Sequence, residues 1–91
     1  ANTDPVFREK LATVLEMWIS GIEKHLERAR AQGYLKKEVN TRNLAEFIVA
    51  AHEGGYGMSK VIRSNKIFWS IYYALRDYLN TMSQKPIKDE V

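Results

Sequence analysis

His52-Glu53-Gly54-Gly55-Tyr56 is the stretch of this 91-residue chain that comes nearest to a chemical signature. A zinc-protease helix carries two histidines four residues apart, with a glutamate beside the first as general base. Tyr56 stands where the second imidazole has to be, so this helical face has no metal platform. His25 is the only other histidine and cysteine is absent, so no ligand set can be completed and no metal is expected.

The remaining candidates for chemistry fail in similar ways. Ser20-Gly21, Ser59 and Ser64 lack a surrounding nucleophile motif, and the chain has neither a G-x-G-x-x-G nor a P-loop. Gly54-Gly55-Tyr56-Gly57 is rich in glycine, but it sits inside a helical pattern and not in a strand-to-helix loop that could cradle phosphate. No enzymatic activity and no cofactor are expected. Binding of a small molecule is a better fit to the residue types. Trp18, Ile22, Phe47, His52 and Tyr56 could line a mostly apolar cavity, with the imidazole and the phenol as its polar handles. The competing reading makes the same five residues plain core.

Charge narrows the partners. The net charge is +3, and the basic residues are scattered from Arg8 to Lys88 without gathering on one helix. Nucleic-acid binding needs such a cluster, so the distribution reads as solvated surface. No run of apolar residues is long enough for a membrane span, and Ala1-Asn2-Thr3-Asp4-Pro5 has no signal-peptide layout. With cysteine absent, these features lead to the expectation of a soluble, cytoplasmic protein.

The elements that must position these residues are helices. Asp4-Pro5 is a helix start, since the carboxylate caps free amides and proline suits the first turn. Phe7, Leu11, Val14, Leu15, Trp18, Ile22 and Leu26 then recur at spacings of three and four. Gly33 is a natural stop, which predicts a first helix over about 5–32. After the connector from Gly33 to Val39, Asn40 or Thr41 caps a second helix over about 41–63. Ser64-Asn65 breaks the pattern and caps a third over 66–82. The tail 83–91 is expected to fray. No segment alternates with period two, so the class is all-α.

The second helix holds three glycines, at positions 54, 55 and 57. Together they cost roughly 2–3 kcal/mol relative to alanine, and a closely packed neighbouring helix is the expected compensation. Ala50 and Gly54 form one row of small residues and Ala51 and Gly55 another, which reads as one shallow contact face. The second and third helices carry more apolar surface than three helices can hide, so homodimerisation is expected through an intersubunit four-helix bundle. The expected interface takes Ala51, Gly54, Gly55, Met58 and Ile62 from the second helix. From the third it takes Phe68, Trp69, Tyr72, Leu75 and Leu79.

The order of these signals resembles a known family. Asp4-Pro5 and Phe7-Arg8…Leu11 open it, and Trp18 follows. Then come Ala29-x-x-x-Gly33-Tyr34-Leu35, Asn40…Leu44-Ala45-Glu46-Phe47, Ala51-x-Glu53-Gly54 and Leu75-Arg76-Asp77-Tyr78-Leu79. From Asp4 to about Met82 the chain resembles the C-terminal part of a TetR-family (tetracycline-repressor-like) transcriptional regulator. The resemblance implies a homodimer built from the last two helices, with the preceding helix bordering an effector pocket. It also implies a protein that is commonly a repressor, released from operator DNA when a small molecule changes the spacing of two N-terminal helix-turn-helix domains.

A full regulator is about twice this length, and the DNA-reading helices are absent from these residues. The chain is therefore expected to be a truncated C-terminal fragment, touching DNA only through a missing N-terminal domain, and no DNA-contacting residue is carried over. The expected effector is small and apolar or aromatic. The alternative is a free-standing helical homodimer with no sensor role.

Overall fold

In the computed structural model, which describes residues 4–84, the chain forms three helices: α1 (Pro5–Ala31), α2 (Thr41–Ile62) and α3 (Lys66–Met82). Local signals fix their ends. The Asp4 carboxylate accepts a hydrogen bond from the Val6 N–H at 3.1 Å, with Pro5 in the first turn. Helix α1 then runs unbroken for about 40 Å. At Ser20-Gly21 it continues, with the Ser20 hydroxyl donating to the Glu16 carboxylate at 2.7 Å.

Gly33 ends α1 with a left-handed φ of 85°. The Gly33 N–H donates to the Arg30 carbonyl at 3.1 Å and the Tyr34 N–H to the Ala29 carbonyl at 2.9 Å, a Schellman closure. Helix α2 ends in a similar way, but Arg63 occupies the left-handed position, at φ 59° and ψ 43°. The start of α2 is capped by Asn40, whose side chain accepts from the Asn43 N–H at 2.9 Å. At α3 the Asn65 side chain makes no capping bond; the Ser64 hydroxyl accepts from the Lys66 N–H instead.

Helix α2 packs against both other helices, while α1 and α3 do not pack on each other. The buried apolar side chains come from the connector and the first half of α2. They are Leu35 and Val39 of the connector and Leu44, Ala45 and Val49 of α2. The connector is also tied to the end of α3. Leu35 bridges Ser83, the Lys36 N–H donates to the Met82 carbonyl at 3.0 Å, and the Gln84 N–H donates to the Tyr34 carbonyl at 2.8 Å. Ser83 and Gln84 are thus held, so the expected fraying does not begin at 83; residues 85–91 of that tail lie outside the described residues.

Within one chain Gly54 and Gly55, one from each small-residue row of α2, do not share a neighbour. A Cβ built on Gly55 would lie 3.5 Å from Ile71 Cδ1 and 3.6 Å from Phe68 Cδ1, so Gly55 is buried against α3 of its own chain. Gly54 and Gly57 face open space. Within one chain, therefore, the glycine that lies against a neighbouring helix is Gly55.

Much apolar surface stays bare. Every residue from 4 to 18 on α1 is exposed, including Phe7, Leu11, Val14 and Leu15. Among the described residues no helix is long and apolar enough to cross a membrane.

Candidate functional site

Because α1 and α3 lean on α2 without meeting, an apolar cleft of about 440 Å³ opens between them. Helix α2 forms the floor with Ile48, Val49, Ala51 and His52. Trp18 and Ile22 of α1 form one wall, and Phe68, Ile71, Tyr72 and Leu75 of α3 form the other. The volume falls within the range of ordinary small-molecule sites. No aspartate, glutamate, lysine or arginine lines it.

Aromatic rings organise the α3 wall. His52 meets Phe68 edge-to-face, with centroids 6.1 Å apart and planes at 82°. Phe68 packs on Trp69 at 5.6 Å, Trp69 on Tyr72 at 5.6 Å, and Tyr72 on Tyr73 at 5.7 Å, all edge-on. Such pairs stabilise by about 0.5–1.5 kcal/mol each beyond burial. The ladder passes from cleft to outer surface, since Phe68 and Tyr72 line the cavity and Trp69 and Tyr73 do not. The Arg76 guanidinium lies 5.0 Å from the Tyr73 ring centroid and closes the outer end.

The α1 wall is held by charge. Arg42, in the first turn of α2, donates through both terminal nitrogens to the two Glu16 oxygens, each at 2.8 Å. Its Nε also donates to Glu46 at 2.9 Å, and Glu23 lies 3.7 Å from Nη1. Hydrogen bonds from Arg42, then from Ser20, hold the Glu16 carboxyl down at about 2. Glu16 and Glu46 in turn push the Arg42 guanidinium above its ordinary value. Two residues beyond Glu16 on α1 comes Trp18 in the cleft wall.

Of the five residues singled out for ligand binding, Trp18, Ile22 and His52 come together at the cleft. Phe47 and Tyr56 are elsewhere. Phe47 sits edge-on against Tyr78 at 5.1 Å, and Tyr56 is half exposed beneath the Lys60 ammonium, which lies 4.8 Å from its ring. Both belong to α2 but point off the face that meets the cleft. The expected interface residues also divide. Ala51, Phe68, Tyr72 and Leu75 line the cleft within one chain, and Gly55 packs on α3. Leu79 is half-buried, while Gly54, Met58, Ile62 and Trp69 look outward. Ile48, Val49 and Ile71 complete the lining and were not singled out; Ile48 lies four residues before His52, a spacing that places them on one face.

A family model described as "Tetracyclin repressor-like, C-terminal domain" matches residues 1–75. The fold is similar to the crystal structure of a TetR transcriptional regulator from Chloroflexus aurantiacus, at a TM-score of 0.83 and 24% identity. The match covers 90% of this chain and 41% of that one, so these residues span about two-fifths of the regulator's length. At this identity the likeness shows the fold alone. No curated protein matches the sequence.

Proposed function

This chain belongs to the tetracyclin repressor-like C-terminal domain family, and from that premise we propose that it is the sensing and pairing half of a transcriptional regulator. The cleft between α1 and α3 takes a small apolar or aromatic effector, and the outer faces of α2 and α3 pair with a second copy. The whole protein is a ligand-released repressor, with DNA contacts made by elements outside these residues.

The observation that carries the reading is the cleft itself: a cavity of effector size, walled by two helices that touch only through the third. Separation of the walls lets an occupant change the angle between α1 and α3 without unpacking a core. The bare surface supports pairing. Gly54, Gly57, Met58 and Val61 lie outward on one side of α2, and Val61 is 85% exposed. Trp69 and Tyr73 do the same on α3. The exposed stripe of α1 from Phe7 to Leu15 is where the rest of a longer regulator packs.

Isothermal titration of the protein with 2-acetonaphthone, a neutral aromatic probe, tests the cleft. Saturable binding that Ala51→Trp abolishes supports the reading, since that substitution fills the floor. Failure of every aromatic probe to bind removes it. Equilibrium sedimentation tests the pairing, and a monomer at micromolar concentration removes that half.

A further inference from the structure

The cleft is more selective in its polar groups than in its shape. Resting on the proposal that it binds a small molecule, we infer that its ligand class is an uncharged aromatic compound carrying an oxygen acceptor, and not a cation. Three of the lining residues carry a polar group: Trp18 an indole N–H, His52 an imidazole and Tyr72 a hydroxyl. Indole nitrogen can only donate. Neutral imidazole offers one donor, and the phenol offers another.

None of the three has a hydrogen-bond partner among the described residues. His52 meets Phe68 through ring contact alone, and Tyr72 meets Trp69 and Tyr73 in the same way. These donors are therefore free for a guest. The opposite kind of recognition is missing. With no aspartate or glutamate on the lining, a cation entering the cleft gives up water and gains no counter-charge. The nearby carboxylates of Glu16, Glu23 and Glu46 are engaged with Arg42.

Aromatic faces alone attract cations, so the discrimination has to be tested against that possibility. Three probes of nearly equal size separate the cases: 2-acetonaphthone with a carbonyl acceptor, 2-isopropylnaphthalene with none, and 2-naphthyltrimethylammonium with a positive charge. Each is titrated calorimetrically into the protein and into His52→Leu and Tyr72→Phe. The carbonyl probe is expected to lose about fivefold in affinity in each variant, the loss of one ordinary hydrogen bond. The isopropyl probe is expected to hold its affinity, and this control separates lost donors from a damaged fold.

The ammonium probe is expected to bind at least about tenfold more weakly than the carbonyl probe. Equal or tighter binding of the ammonium probe overturns the ligand class while leaving the cleft as a binding site. Parallel losses for the carbonyl and isopropyl probes in both variants overturn the role of the donors. Binding of none of the three overturns the underlying function, and the inference with it.

Discussion

Arg42 and Glu16 are 26 positions apart in sequence and meet through two hydrogen bonds of 2.8 Å, one from each terminal guanidinium nitrogen to each carboxylate oxygen. This paired contact joins the middle of α1 to the first turn of α2. It also fixes a sign for the acid behaviour of the domain. Glu16 titrates at about 2 when folded, below its ordinary value of 4.5. A depressed carboxyl contributes stability that is complete above about pH 4.5 and disappears as the pH falls through 2. Thermal unfolding followed against pH should show that loss in the natural chain and not in Glu16→Gln. Because the pair is solvent-exposed, added salt should shrink the difference.

The two left-handed helix ends give a second pair of outcomes. Gly33 occupies its position at no steric cost, whereas Arg63 carries a side chain at φ 59°. Replacing Arg63 with glycine should stabilise the domain by up to about 1 kcal/mol, and Gly33→Ala should destabilise it by a similar amount. Opposite shifts in melting temperature, of roughly 4–8 °C each, are the readout.

Neighbouring glycines of α2 should respond in different ways. Gly55→Ala fits the ordinary contact distance to Ile71 and Phe68 and should add about 0.5–1 kcal/mol through helix propensity. Gly55→Leu overfills the same gap and should cost about 1–3 kcal/mol of folding stability. Gly54→Leu meets open space within the chain, so it should leave helicity intact while driving the sedimenting species toward monomer. A dimer that persists in Gly54→Leu removes this side of α2 from the pairing surface.

The two tryptophans should report on different events. Trp18 stands in the cleft wall and Trp69 on the outer side of the aromatic ladder. Quenching by 2-acetonaphthone should vanish in Trp18→Phe and survive in Trp69→Phe. The fluorescence change on dilution should show the reverse. Equal responses in both variants would mean that cleft and outer face are not separate.

Local chemistry was legible in the residues; assignment of neighbours was not. Asp4, Gly33 and Asn40 announce helix ends because a cap acts within four residues of itself, and the structure uses all three. The periodicity of α3 identifies Phe68, Tyr72 and Leu75 as apolar, but a stripe does not say which helix lies opposite. They face the cleft of their own chain because α3 is apolar on two sides. Gly55 was ambiguous for the same reason. Leu35 and Val39 were passed over as connector, though two apolar residues set among lysines and a glutamate are a signal of anchoring. The pairing of Arg42 with Glu16 was not legible, since nothing local links residues 16 and 42.

The bridge between Leu35 and Ser83 makes the molecule resemble a pair of tongs. Through it the two outer helices, which do not pack on each other, are joined by backbone where the connector meets the end of α3 as well as through α2.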